Sequence, residues 1–257
     1  MKIKDYTTAP GHWLLARMGK RVLRPGGRSL TQFLLSELAI SPATDIVEFA
    51  PGLGFTASLA LKQQPQSYVG IDTDKEVINM LKQKLHGTHI RFLTANASAT
   101  VLEAESKDKV FGEAMLTMQN DSRKKEIVQE AYRILKKGGL YAIHELALRD
   151  TDEKLEKEIR KQLATVIQVN ARPLRQEEWE TLLKDAGFMI RKVTTNEMYL
   201  LEKKRIIEDE GWLRSIRIVF NIMIHPNARK RVSAMRKTFR TYQKNIHAIA
   251  IIAEKTE

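Results

Sequence analysis

Apolar positions along "GHWLLARMGKRVLRPGGRSLTQFLLSELAI" recur at helical spacing and break at "RPGG". That predicts two N-terminal helices separated by proline and glycine. The pattern then shortens into alternating units. Asp45–Phe49 is an apolar run that predicts a buried strand, and Phe55–Gln63 predicts a helix. "SYVGI" predicts a second strand. "DKEVINMLKQKL" predicts a helix with Val77, Ile78, Leu81 and Leu85 on one face. "HIRFL" and "KVFGEAML" predict a third strand and a fourth running into a loop. "DSRKKEIVQEAYRILKKGG" predicts a helix capped by Asp121 and stopped at Gly138–Gly139, before a fifth strand in "LYAIHEL". Strands alternating with helices of this length imply a parallel sheet covered on both faces.

Beyond Asp150 the pattern turns helical. "DEKLEKEIRKQLATVIQVN" and "RQEEWETLLKDAGF" predict two amphipathic helices, leading to a strand near Met189–Thr195. Two or three further helices follow before a last apolar strand at Ile246–Ala253. No linker separates a second domain. The expectation is one domain over 1–257, with a helical lid at 1–44, a cofactor-binding core at 45–150 and substrate-side helices at 151–257.

Composition narrows the chemistry. The 257 residues contain no cysteine, which excludes disulfides, cysteine-ligated metals and a thiolate nucleophile. The 43% hydrophobic content supports a real core. The N-terminus lacks a signal-peptide core, and no apolar run is long enough to span a bilayer, so a cytoplasmic location is expected. The net charge of +12 favours anionic partners. Between Leu201 and Lys244 there are 12 Lys/Arg against 4 Asp/Glu, a local net of 12 − 4 = +8.

The stretch "IVEFAPGLGFTASLALKQQPQSYVGIDTD" admits two readings. Taken as G-x-G-x-x-A, Gly52, Gly54 and Ala57 fit a dinucleotide loop, with Asp72 placed to bind a ribose, as in an NAD(P)-dependent oxidoreductase. Taken as Glu48-x-Ala50-x-Gly52-x-Gly54, the same stretch resembles motif I of class I S-adenosylmethionine (SAM) methyltransferases. Glu48 would repel a pyrophosphate and suit the ammonium group of SAM. "YRILKKGGLYAIHE" also resembles the turn before strand five in that family, and the apolar last strand after "AGF" resembles its final hairpin. The similarity is strongest to the small-molecule branch that includes ubiquinone/menaquinone-biosynthesis and arsenite methyltransferases. Arsenite itself is a poor acceptor here, since no cysteine is present to hold it.

The resemblance implies an α/β fold with a Rossmann-like sheet of seven strands, the last antiparallel. N-terminal helices precede the sheet, and a helical insertion precedes the last strand. It implies SAM as cofactor, with Glu48 on the methionine ammonium and Ala50, Gly52 and Gly54 bringing backbone to the methionine and ribose. Asp72, followed by Thr73, would accept the ribose hydroxyls. Asn96 and Ala97 would flank the adenine, and Glu113 and Ala114 the methyl end. Ala50 stands where the motif has glycine, which suggests a less strained turn. Asn96 stands where it has aspartate, leaving an uncharged amide oxygen for the adenine amino group.

Other candidates stand beside bland readings. His144 and Glu145 end strand five and are candidate bases, or else a hydrogen-bonded sheet edge. His12, Trp13 and Arg17 sit on the lid helix as candidate substrate contacts, against packing and solvated charge. Met115 and Met118 could form a soft wall near the methyl group or simply fill core. Trp212, Ile216, Val219 and Met223 recur at helical spacing, as do Val232, Met235, Phe239 and Tyr242. These two helices read as a cap with a basic face, as a lid sharing the Trp13 cavity, or as a docking face for RNA or membrane. The expected acceptor is a small apolar or anionic molecule. An RNA or protein methyltransferase remains the alternative on the same fold, although no RNA-binding module is recognisable.

Overall fold

The computed structural model describes residues 6–149 and 151–256. Met1–Asp5 of the expected lid and the expected core boundary at Asp150 lie outside the described residues. Helices α1 (Gly11–Met18) and α2 (Gly27–Leu38) lead into β1 (Asp45–Phe49), α3 (Phe55–Leu61), β2 (Ser67–Asp72), α4 (Lys75–Lys84) and β3 (Ile90–Thr94). Then come β4 (Lys107–Glu113), a single 3-10 turn (Leu116–Met118), α5 (Asp121–Ile134) and β5 (Leu135–Leu148). The C-terminal part comprises α6 (Glu153–Ile167), β6 (Leu174–Arg175), α7 (Gln176–Asp185) and β7 (Phe188–Glu197). Helices α8 (Lys203–Glu210), α9 (Trp212–Ile224) and α10 (Pro226–Thr241) separate β7 from β8 (Ile246–Lys255).

The sheet runs β3-β2-β1-β4-β5-β8-β7, with β1 to β5 parallel and β8 antiparallel to both neighbours. The expected seven strands, antiparallel last strand and helical insertion are all present. An eighth, two-residue strand, β6, pairs with the end of β5. It is too short to leave a period in the sequence. Chain order reverses between β1 and β4, and open α/β sheets bind ligands at the carboxyl ends of the strands flanking such a switch point.

Two local details differ from expectation. The cap of α5 is Asn120, whose side chain accepts from the Arg123 amide at 2.8 Å. Asp121 falls one position inside the helix, where its carboxylate meets Lys124 Nζ at 2.9 Å. The helix also stops at Ile134, before the glycine pair. Gly138, at φ +76, makes a turn within β5 where the register with β4 shifts between Lys107 and Lys109.

The residues joining α1 to α2 form a strap anchored from far along the chain. Glu210, ending α8, accepts the Arg21 and Val22 amides at 2.6 and 2.8 Å, and Asp209 accepts the Arg28 amide at 2.8 Å. Buried Lys20 lies 3.5 Å from Asp209, and its ammonium pKa is lowered by burial despite that partner. Desolvated charges of this kind hold position only as a set, because removing one leaves another uncompensated.

Helices α9 and α10 behave oppositely. In α10 and its C-cap, Met235, Phe239 and Tyr242 are buried as the spacing predicts, while Val232 is half-buried. In α9 the stripe Trp212, Ile216, Val219 and Met223 faces outward, and Ser215 and Ile218 face in. Periodicity identified the helix but not which face meets the protein.

Candidate active site

At the switch point the chain turns away from β1 through two left-handed residues, Ala50 at φ 53 and Gly52 at φ 52. The turn thus keeps the left-handed geometry of a glycine turn and, with alanine in it, is more strained than one with glycine. Ala50 carries a Cβ in a region that costs an L-residue about 1–2 kcal/mol. This corrects the expectation of a relaxed loop. A Cβ on Gly52 would meet nothing nearer than the Ala50 carbonyl at 4.0 Å, so its α-carbon borders open space. Gly54 differs: a Cβ there would lie 2.5 Å from Leu81 Cδ2, so it serves the packing of α3 on α4.

The loop borders a cleft of about 470 Å³. Small-molecule sites commonly measure ~300–1,000 Å³. Ala50, Gly52, Asp72, Thr73, Asn96, Ala97, Glu113, Ala114, His12, Trp13, Met115 and Met118 all line it. Asp72, at the end of β2, accepts the Asp74 amide at 3.0 Å through Oδ1. Burial raises its pKa, against backbone hydrogen bonds that lower it. Asn96 Oδ1 accepts from the Ser98 amide and hydroxyl, both at 3.1 Å, so its oxygen already has local partners.

Five predicted residues are absent from the cleft wall. Gly54 packs helices, as above. Glu48 is buried in β1 and accepts the Tyr68 hydroxyl at 2.5 Å. Burial pushes its carboxyl up to about 8, with the Tyr68 hydrogen bond opposing, so at neutral pH it is a poor counter-ion for an ammonium. Arg17 is exposed, one turn beyond Trp13. His144 and Glu145 are fully buried.

Neither of the last two lines the cleft. His144 Nε2 accepts the Gly26 amide at 3.0 Å, so the ring proton sits on Nδ1, which faces Glu113 Oε1 at 2.8 Å. Both ring nitrogens are thereby occupied. Glu145 accepts the Met115, Leu116 and Thr117 amides at 3.0, 2.8 and 3.0 Å, and the Thr117 hydroxyl at 2.7 Å. It shapes the turn after β4. The two side chains point to opposite faces of β5. Both are buried because the strand runs on to Leu148 with both faces covered, where the sequence predicts a strand end.

Glu113 is the polar centre of the floor. Arg24 Nη1 lies 3.2 Å from it, the Thr31 hydroxyl donates at 2.6 Å, and the Thr56 hydroxyl also donates. Burial alone would raise its carboxyl, but Arg24 and then His144 and Thr31 hold it down to about 2. Arg21, Leu23 and Arg24 of the strap line the same cleft, and sequence reading missed them. The "RVLR" just after the lid helix was the available signal. Nothing local could have revealed that Arg24 pairs with a carboxylate 89 positions away.

A second, smaller cavity of about 100 Å³ adjoins the cleft, and His12, Leu23, Ala114 and Met118 line both. Leu15, Leu146, Leu163, Met198, Leu200, Met235 and Phe239 supply most of its remaining wall, with no charged side chain. His12 stands at this junction, its ring tilted against Trp13 at 5.0 Å. Burial lowers its pKa to about 4, so the imidazole is neutral at physiological pH. It has no hydrogen-bond partner among the described residues. Trp212 lines a separate groove, so the expectation that α9 and Trp13 share a cavity fails.

Residues 46–139 match the methyltransferase-domain family. An uncharacterised protein of Haemophilus influenzae is 33% identical over 254 residues, covering 95% of this chain and 98% of that one. The Haemonchus contortus phosphoethanolamine N-methyltransferase 2, in complex with phosphomonomethylethanolamine and S-adenosylhomocysteine, is 18% identical with a TM-score of 0.72. That match covers 96% of this chain and 57% of the other. The MccD protein is 16% identical with a TM-score of 0.70, over 90% of this chain and 99% of its own. No helix among the described residues is long and apolar enough to cross a membrane. Sheet order, the cleft at its switch point and the family match agree: the chain has the class I methyltransferase fold and carries a methyltransferase domain at residues 46–139, with SAM as its methyl donor.

Proposed function

We propose that this methyltransferase acts on a small, largely apolar metabolite seated in the second cavity, with a hydroxyl or amine turned toward His12. The observation that carries the reading is the shared wall of His12, Leu23, Ala114 and Met118 between the cleft and the apolar cavity. A donor in one chamber and an acceptor in the other would meet there.

Bound SAM supplies an electrophilic methyl on a sulfonium. Asp72 has the acceptor capacity for both ribose hydroxyls. The Ala50–Gly52 backbone borders the methionine side, and Arg21 and Arg24 offer guanidinium donors for its carboxylate. Glu113 is already satisfied by four groups, so its part is to fix Arg24 rather than to hold the ammonium. Neutral His12 accepts a hydrogen bond from the acceptor and aligns its lone pair. As the new bond to the methyl forms, the S–C bond breaks, S-adenosylhomocysteine leaves, and the acceptor's proton departs along that hydrogen bond. In-line displacement depends on such alignment, and positioning of this kind can contribute several kcal/mol. The apolar wall excludes water that would compete for the site.

Met115 and Met118 line the cleft, and Met118 also the junction, where a polarizable thioether suits a neighbouring methyl sulfonium. An RNA acceptor would call for a continuous cationic groove, whereas the second cavity has no charged lining. The phosphomonomethylethanolamine bound by the Haemonchus contortus neighbour is charged, so a shared acceptor does not follow from the shared fold.

The test supplies purified protein with methyl-labelled SAM and separate pools of apolar metabolites, RNA and protein. Label entering an apolar hydroxyl or amine compound supports the proposal. Label confined to RNA or protein refutes it.

A further inference from the structure

Helix α9 presents its apolar side to solvent. Trp212, Leu213, Ile216, Phe220, Met223 and Ile224 are each more than half exposed. At 3.6 residues per turn these positions share one broad face, with Arg217 at its edge and Arg214 beyond. The inward side is narrow, with Ser215 and Ile218 buried. Single exposed apolar residues are ordinary, but six on one 13-residue helix form a patch of the kind that marks an interaction surface.

Charge identifies the partner. From Trp212 to Lys244 there are nine Lys/Arg, of which Arg236 and Arg240 are paired with Glu202, and no Asp/Glu. Arg229 and Lys230 are exposed in the first turn of α10, where the helix dipole disfavours cations. The groove at the start of α9 brings Arg214 and Arg217 beside Trp212 and Leu213. Its one acidic wall residue, Glu210, is occupied by the Arg21 and Val22 amides. A second copy of the chain docked through α9 would oppose these cations to one another. An apolar face with a cationic margin instead matches a bilayer surface carrying anionic headgroups.

We infer that α9 is an interfacial helix that seats the enzyme on an anionic lipid surface, its apolar face in the headgroup–acyl boundary and its arginines on the phosphates. Helix α9 packs on α1, as the Asn221 side-chain amide donates to the Met18 carbonyl at 2.9 Å. Docking therefore brings the helix carrying His12 and Trp13 beside the bilayer.

The probe is co-sedimentation with vesicles of phosphatidylcholine, with and without phosphatidylglycerol. Binding is expected only where phosphatidylglycerol is present. It should weaken at least about tenfold as salt rises from ~0.1 M to ~1 M, where screening collapses the Debye length from ~10 to ~3 Å. The exposed-face double variant Ile216→Ser/Phe220→Ser should lose at least about tenfold in vesicle affinity. It should retain SAM affinity and melting temperature, which shows that it folds. No binding to the anionic vesicles, or equal binding to phosphatidylcholine alone, overturns the inference. So does a wild-type dimer in sedimentation velocity that the double variant converts to monomer, since α9 would then cover a second copy.

Discussion

His144 Nδ1 lies 2.8 Å from Glu113 Oε1, and through that contact the fifth strand holds the floor of the cofactor cleft. The same ring accepts the Gly26 amide, so one buried imidazole ties β5, β4 and the start of α2 together. His144 is thus a positioning residue. Its replacement by Phe leaves the Gly26 amide unpaired and frees Glu113, each a loss of about 1–3 kcal/mol. The expected result is a lower melting temperature and weaker SAM binding in calorimetry. Turnover at saturating SAM should keep the wild-type pH profile. A defect that disappears at high pH, as an acceptor ionising unaided would produce, would show that His144 is a base after all.

Asp72, which lines the cleft at the end of β2, is the residue we propose for the ribose. Asp72→Ala removes charge-assisted acceptors and should weaken SAM and S-adenosylhomocysteine by about 1–3 kcal/mol, with the fold intact. Asp72→Asn should fall between the two. Titration calorimetry on all three proteins checks the order, and unchanged affinity in the alanine variant would remove Asp72 from the site.

Most of the fold was legible because its elements announce themselves locally. The period-two and period-3.6 runs located β1 to β5 and the helices between them, and the Glu48–Gly54 motif pointed to the cofactor cleft. What escaped was direction. By sequence Glu48, His144 and Glu145 are strand-end residues facing a ligand, yet His144 and Glu145 lie inside β5, which runs on to Leu148, and all three point into packed protein. The α9 stripe has a clear period but faces outward. The Arg24–Glu113 pair joins two segments by a contact that no local pattern encodes. Sequence gave the position of these side chains along an element, and only packing decided which chamber they enter.

Glu48 gives the protein a pH-dependent stability of unusual sign for a carboxylate. Its folded pKa, about 8, lies above the ordinary 4.5 because of burial, with Tyr68 opposing. The folded chain keeps a proton that the unfolded chain releases. The group's contribution is therefore complete below about pH 4.5 and is lost as pH rises toward 8. Glu48→Gln keeps an oxygen for the Tyr68 hydroxyl but cannot ionise. Between pH 5 and 8, without SAM, the wild-type melting temperature should fall relative to the variant's. Parallel curves would mean that Glu48 is ionised in the fold.

The junction between the two chambers allows the acceptor step to be separated from SAM binding. Met198 is buried on the wall of the apolar cavity and does not line the cleft. Met198→Trp should fill that cavity, at an overpacking cost of about 1–3 kcal/mol. SAM affinity should stay within about twofold, because no contact around Asp72 or Gly52 changes, while turnover on the true acceptor collapses. His12→Phe tests the same junction differently. It keeps the ring against Trp13 but removes the neutral acceptor nitrogen, so KM for the acceptor should rise, by about 1 kcal/mol in binding for one lost hydrogen bond. Since the His12 pKa is lowered to about 4 by burial, the wild-type KM should show no inflection from this residue between pH 5 and 8. If Met198→Trp turns over normally, the acceptor does not occupy the apolar cavity. If SAM affinity falls with turnover in both variants, the two chambers do not divide the work in this way.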